Sequence, residues 1–209
     1  MNRIVVIGGG GHAKVLVSML QKTGYDIAGY TDRVDRGELL GVSYLGGDDR
    51  LAEIIAREPQ CRAALGIGKL DTAAGRLELL TRLTGLGFSL PPIVSCHAVV
   101  NRDVVLGAGT VVFDGAVVNS GARIGAAGIL NTHCTVEHDC ELGDDVHVAP
   151  GVVLCGGVRV GDHCLIGTGA CVIQGVRIGP RVLVGAGTVV VADLARPGVY
   201  VGNPARRLR

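Results

Sequence analysis

The chain has 209 residues, a formal net charge of +1, and a composition that is 48% hydrophobic but only 3% aromatic, with no tryptophan. Lacking a Lys/Arg run and aromatic side chains for stacking bases, it is a poor candidate for binding nucleic acid or an anionic membrane. Its length allows one large domain or two small ones, with core enough to need no staples.

Residues Met1 to Gly8 read as a strand, Ile4–Ile7, entering a glycine turn. The apolar stretch is too short for a secretion signal, and no segment approaches the roughly 20 uninterrupted apolar residues of a membrane span. Ala13–Leu20 has the apolar period of a helix, and Asp26–Tyr30 reads as a second strand ending at Thr31-Asp32. Asp49–Arg57 and Thr72–Thr84 are expected to be helices, with Ala63–Ile67 between them as a buried strand, and Pro91-Pro92 punctuates a junction. This alternation describes a small α/β, Rossmann-like domain over residues 1–90, with ligands expected at the carboxyl ends of its strands. Its first turn, Gly8-Gly9-Gly10-Gly11-His12-Ala13, satisfies GxGxxA, and Asp32 follows about twenty residues on. Such glycines let backbone approach a phosphate at a helix N-terminus, although a tight turn needs glycine for geometry alone. His12 suits a contact to a nucleotide or sugar, or else is an exposed histidine at a helix start.

From residue 94 to residue 190 a different order takes over. Every sixth residue, Val94, Val100, Leu106, Val112 and onward to Val190, is Ile, Leu or Val. The residue four places after each is small or aliphatic, and glycine follows the branched residue every eighteen positions, at Gly107, Gly125, Gly143, Gly161 and Gly179. Six is neither a helical nor a hairpin period, and it identifies a hexapeptide β-helix over residues 91–209. Three short faces make one eighteen-residue coil, and successive coils pair as parallel strands about 4.8 Å apart. Of the seven cysteines, Cys134, Cys140 and Cys164 fall on small inward positions, as in a reduced, cytoplasmic protein. No CxxC pair supports a zinc cluster.

The GGGGHA turn, Asp32, Gly66-Ile67-Gly68 and the hexapeptide repeat resemble, in this order, the bacterial sugar acetyltransferases. That family includes UDP-4-amino-sugar N-acetyltransferases and sialic-acid O-acetyltransferases. The resemblance covers essentially the whole chain and is most specific from Ile129-Leu130-Asn131-Thr132 through Glu137-His138-Asp139-Cys140 to His147, with the tail Gly198 to Arg206. It implies a left-handed β-helix, a homotrimer, acetyl-CoA held between neighbouring helices, and no metal. It implies His138 as catalytic base and Asp139 as its acidic neighbour, where relatives often carry Glu. Gly156, one coil beyond His138, is implied to bind the oxyanion and acetyl-CoA. CoA contacts are implied near Thr168 and Ala186, with Arg206 and Arg207 as phosphate partners. Gly11, His12, Asp32 and Arg33 are implied to hold the nucleotide-linked sugar, with Asn131 and His147 near the acceptor. Lys69-Leu70-Asp71 departs from the amide-rich turn usual in the family.

Read on its own, His138 occupies the third place of its hexapeptide, near a corner, between Glu137 and Asp139. A carboxylate beside an imidazole fixes the tautomer and supports the charge the ring acquires on taking a proton. His147 is expected at a turn, Asn131 alternatively in an amide ladder, and His133 and His163 as surface or corner residues. The expected reaction is acetyl-CoA-dependent N-acetylation of a nucleotide-linked (UDP or GDP) 4-amino-4-deoxy sugar for surface glycan synthesis, with sialic-acid or other sugar O-acetylation as the alternative. Two other classes remain open: an intersubunit zinc site using His133, His138 and His147, and a non-catalytic NAD-binding scaffold resting on GxGxxA.

Overall fold

The computed structural model describes residues 3–208, which include the whole expected first strand, Ile4–Ile7. Strands β1 (Arg3–Ile7), β2 (Asp26–Thr31) and β3 (Arg62–Leu65) form a parallel sheet in the order β2-β1-β3. Helix α1 (Gly11–Lys22) follows β1, α2 (Leu51–Arg57) precedes β3, and α3 (Gly75–Gly85) follows it. β1 is central, and Ile4 through Ile7 are buried on both faces, which is why the strand reads as a continuous apolar run. The third helix starts later than the sequence suggests. Asp71 Oδ1 accepts the Ala73 N–H at 2.9 Å and Lys69 Nζ donates to the Ala73 carbonyl at 2.5 Å, tying these residues into a loop.

The β-helix begins at Ile93. Its first face stacks Ile93–Val94, Val111–Val112, Ile129–Leu130, His147–Val148, Leu165–Ile166 and Val182–Val184. The second face runs from Val99–Val100 to Val189–Val190, and the third from Val105–Leu106 to Arg177–Ile178. Register is eighteen throughout: Thr135 pairs with Val153 and Val136 with Leu154. The branched residues from Val112 to Val190 are all buried, each stabilising by roughly 1.5–3 kcal/mol. Val94, Val100 and Leu106 are half-buried because no coil precedes theirs. Cys134, Cys140 and Cys164 are buried free thiols, and burial pushes them up to about 12, 11 and 11.

Glycine has two separate uses in the coils. A Cβ on Gly107 would lie 2.5 Å from the backbone nitrogen of Ala126, and one on Gly161 would lie 2.7 Å from that of Pro180, so these corners admit no side chain. The fourth place of each hexapeptide from Gly109 to Gly187 instead takes a left-handed backbone. Gly121 and Gly157 supply it, whereas Ala127, His133, Asp139, Asp145, His163 and Arg181 adopt φ of 53–60° there.

The three faces meet different surroundings. On the first, outward-pointing Ile93, Val111 and Ile129 pack against Leu16 and Leu20 of α1. The third carries Val105, Arg123, Glu141, Arg159 and Arg177, with Arg159 Nη2 3.3 Å from Glu141 Oε1. The second shows an uncharged row, Val99, Val117, Thr135, Val153, Cys171 and Val189, with Val99 59% exposed. The front domain also grips the edge between the third and first faces, where Arg76 Nε donates to the Ala127 carbonyl, Lys69 Nζ meets Asp145, and Arg181 Nη1 donates to the Thr72 carbonyl.

Candidate active site

His138 and Asp139 occupy the corner between the second and third faces. Asp139, in the left-handed conformation, turns its carboxylate back onto the preceding ring, so that His138 Nδ1 is 2.9 Å from Asp139 Oδ2. Nδ1–H then donates to the carboxylate, and Nε2 keeps its lone pair. Asp is therefore long enough to reach the imidazole where relatives often have Glu. Glu137 is occupied differently: Asn101 Nδ2 donates to Asn119 Oδ1 at 3.1 Å, and Asn119 Nδ2 to Glu137 Oε2 at 2.8 Å. The amide ladder expected as an alternative for Asn131 is built by these residues instead.

The eighteen-residue register puts Gly156 directly over the dyad. A Cβ there would lie 2.5 Å from His138 Nε2 and 2.6 Å from Cε1, so the missing side chain is what leaves Nε2 accessible. The Gly156 N–H donates to no backbone group among the described residues, while its carbonyl accepts from Gly175. Both dyad side chains are more than half exposed in the single chain.

Thr168 and Ala186 stand on a different corner, between the first and second faces, following Ile166 and Val184. Within one chain they are separated from His138 and Gly156 by the whole second face. Arg206 and Arg207 lie on an exposed strand paired antiparallel with Val201 and Tyr200, and their guanidinium groups donate to the Ala205 and Pro197 carbonyls.

In the front domain, Gly8 through Gly11, Asp32, Arg36, Gly66, Ile67, Gly68 and Leu70 border a crevice of about 440 Å³ at the carboxyl ends of the strands. A second depression of about 480 Å³, beside α3, shares Gly8, Asp32 and Ile67 and includes Arg33. The four glycines of the turn differ in role. At Gly8 a Cβ would lie 3.0 Å from the Gly66 carbonyl, and at Gly9 it would lie 2.6 Å from the Tyr30 ring, whereas Gly10 and Gly11 have nothing within 4 Å. Asp32 accepts the Gly9 N–H at 2.7 Å, the Val34 N–H at 3.2 Å and Arg36 Nε at 3.3 Å. Burial opposes its ionisation, but these donors hold its carboxyl below the usual carboxylate range. Arg36, not Arg33, is the guanidinium at Asp32.

His12 is not an exposed helix-start residue. Its ring meets Phe113 of the β-helix edge-on, with centroids 5.1 Å apart, and Nε2 is sealed without a partner. Burial, followed by the nearby Arg76 and His147, drives its pKa down to about 3. The residue remains a wall of the crevice, but its imidazole is tied to the domain seam.

His147 corrects the reading from sequence: it lies in a strand of the first face, not at a turn, and is buried beneath the front domain. Its Nδ1 is 2.9 Å from the Lys69 carbonyl and its Nε2 is 3.1 Å from Asn131 Nδ2. Since a carbonyl only accepts, Nδ1 carries the proton and Asn131 donates to Nε2. Asn131 Oδ1 accepts the Thr132 N–H at 2.8 Å. Burial and the flanking Arg76 and Lys69 lower the pKa of His147, against the pull of the Lys69 carbonyl and Asp145. With both ring nitrogens engaged, His147 is not arranged with His133 and His138 around a common point, and the described residues include no group of three ligands suited to a metal ion.

Lys69, Arg76, Asp145 and His163 were not among the expected site residues. Lys69 Nζ and Asp145 Oδ2 are 2.9 Å apart with both side chains buried, and His163 Nδ1 reaches the same oxygen at 3.3 Å. Arg76, also buried, binds the Ala127 and Leu65 carbonyls, and desolvation lowers its pKa to about 10. The one available sequence signal was a lysine in place of the usual amide-rich turn.

Comparison with known proteins agrees with this architecture. Residues 3–73 match the PglD N-terminal domain, and residues 157–192 match the hexapeptide repeat of succinyl-transferase. PerB from Caulobacter crescentus, solved in complex with CoA and GDP-perosamine, is 39% identical, with a TM-score of 0.92 over 100% of this chain and 98% of that one. The acetyltransferase domain of PglB from Neisseria gonorrhoeae is 34% identical, with a TM-score of 0.93 over the whole of both chains. GDP-perosamine N-acetyltransferase of Escherichia coli O157:H7 is 33% identical over 81 residues, 38% of this chain and 37% of that protein's length. Full-length agreement with solved relatives, in both the front sheet and the coils, places the chain in the bacterial sugar acetyltransferase family of hexapeptide-repeat proteins.

Proposed function

We propose that the protein transfers acetyl from acetyl-CoA to the amino group of a nucleotide-linked 4-amino-4-deoxy sugar, with His138 as general base. The observation that carries this reading is the corner itself: Asp139 on Nδ1, a free Nε2, and Gly156 one coil above with an unused N–H. Acetyl-CoA supplies the activated thioester. The residues handle protons and charge. Nε2 takes the proton that the attacking amine loses as the C–N bond forms, the Asp139 carboxylate stabilises the imidazolium this creates, and the ring returns that proton to the departing CoA sulfur as the C–S bond breaks. The Gly156 N–H is a donor for the oxygen that gains negative charge.

The acceptor's nucleotide is assigned to the front crevice. A Cβ at Gly10 or Gly11 would meet no protein atom within 4 Å, so these glycines leave the helix start bare for close approach by a ligand. The first N–H groups of α1 open there without a side-chain cap, suited to a diphosphate. Relatives bound to GDP-perosamine and CoA support a nucleotide amino sugar over sialic acid.

A homotrimer completes the site. The second face is apolar and uncovered, the third is charged and the first is roofed by the front domain. Three chains turning their second faces toward a common axis would bring the His138 corner of one protomer beside the Thr168 and Ala186 corner of the next. Val153→Glu, on that face, is then expected to give monomers in analytical ultracentrifugation and to abolish turnover; a fully active monomer would refute the shared site.

The deciding assay measures thiol release from acetyl-CoA against UDP-, GDP- and dTDP-4-amino sugars, with sialic acid and serine alongside. Turnover on one nucleotide amino sugar is the expected result. Turnover on sialic acid alone would replace N-acetylation by O-acetylation.

A further inference from the structure

Lys69 is held at both ends by a single coil of the β-helix. Its ammonium meets Asp145 Oδ2 at 2.9 Å, and its carbonyl accepts from His147 Nδ1, two residues further along the same coil. Neighbouring Gly66, Ile67, Gly68 and Leu70 border the crevice assigned to the nucleotide. At the other side of the clamp, His147 Nε2 accepts from Asn131. One buried ion pair therefore connects the crevice rim to a histidine and an asparagine on the β-helix. A buried ion pair adds little net stability compared with apolar residues of the same volume, because desolvation offsets the attraction. It does impose one geometry.

We propose that Lys69 and Asp145 are a positioning pair: they fix the nucleotide-binding rim of the front domain relative to the β-helix and hold His147 in the Nδ1–H tautomer. The claim rests on the acceptor assignment above for its kinetic consequence but not for its tautomer consequence. Asp145 is suited to the task because it accepts the lysine while occupying a left-handed corner at φ 53°. Its second oxygen, Oδ1, is buried without a partner, so it is not chosen to satisfy every hydrogen bond locally. His163, one coil on, steadies the same carboxylate.

The test is the double variant Lys69→Met/Asp145→Asn in the full-length protein. Asn tolerates the left-handed backbone and still accepts from His163, neither member of the pair is left facing a lost partner, and Arg76, which loses the attraction of Asp145, keeps its bonds to the Ala127 and Leu65 carbonyls. The expected KM for the nucleotide sugar rises about tenfold, as for a misplaced binding rim, while the KM for acetyl-CoA stays within about twofold. Histidine ¹⁵N NMR reads the second consequence: wild-type His147 shows a protonated Nδ1 and a bare Nε2, and the double variant shows a mixture of tautomers. A folded double variant with unchanged KM and an unchanged tautomer would overturn the proposal. So would a loss of thermal stability with a parallel rise in both KM values, which would mark the pair as scaffolding alone. If wild type turns over no nucleotide sugar, the acceptor assignment fails, and the tautomer spectrum alone still decides the role of the pair.

Discussion

The corner bearing His138 and the seam bearing His147 are built in opposite ways from similar residues. At the corner, a histidine and an aspartate adjacent in sequence stand in the open, one hydrogen bond apart. At the seam, Lys69 and Asp145, 76 residues apart in sequence, are sealed beside a histidine whose two ring nitrogens are both occupied. The contrast separates two kinds of work. A group that exchanges protons with a substrate needs a free lone pair and an approach path, whereas a group that sets geometry needs enclosure and partners fixed on both sides.

Substitution at the open corner provides the sharpest test of this difference. His138→Ala should lower turnover by about 10²–10⁴-fold while leaving the melting temperature within about 2 °C of wild type, because an exposed side chain contributes little to stability. Steady-state thiol release and calorimetry check the two halves, and an unfolded variant would erase the distinction. Gly156→Ala should cost about tenfold to a hundredfold in kcat, since its Cβ would lie within 2.5 Å of Nε2 and displace either the ring or the substrate. A kinetically silent Gly156→Ala would mean that the face of the ring beneath Gly156 is not the one used.

The smallest expected effect is a pH dependence arising at the seam. His12 titrates near 3 in the folded chain because burial disfavours its charged form, whereas an unfolded histidine titrates near 6.5. The unfolded chain therefore binds a proton first as pH falls. Stability is complete above about pH 6.5 and declines below it toward pH 3, by about 2 kcal/mol at pH 5 from this residue. His147 acts in the same direction. Melting curves at pH 7.5 and pH 5 should show the drop, and His12→Gln should shrink it. A slope unchanged in that variant would place the titrating group elsewhere.

Much of the β-helix could be read from the chain because its constraints are periodic. Branched residues at every sixth place fill the coil interior, and glycine recurs where a Cβ would strike the next coil. The same arithmetic puts Gly156, eighteen residues on, over His138. The handedness came only with the family resemblance, since a six-residue period is compatible with either hand. The seam was hidden because Lys69 and Asp145 belong to different domains and share no period. His147 was misread as a turn residue because the hexapeptide count ends there, while the strand takes the last place of one repeat with the first of the next. The face on which the front domain rests did leave a trace, in outward apolar Ile93, Val111 and Ile129, as against the charges at the corresponding places of the third face.

The stacking of identical coils makes distance along this molecule a discrete quantity. Asp145 at the seam and His138 at the open corner lie seven residues apart, on the same turn of the coil. Eighteen residues inserted between His138 and Asp145 would move them onto neighbouring coils, a further step of about 4.8 Å, without altering either locally. The repeat thus acts as a ruler: the span between a group clamped to the front domain and a group on an open corner is counted in whole coils, and it changes by one step when an element moves along the stack while every residue in it stays the same.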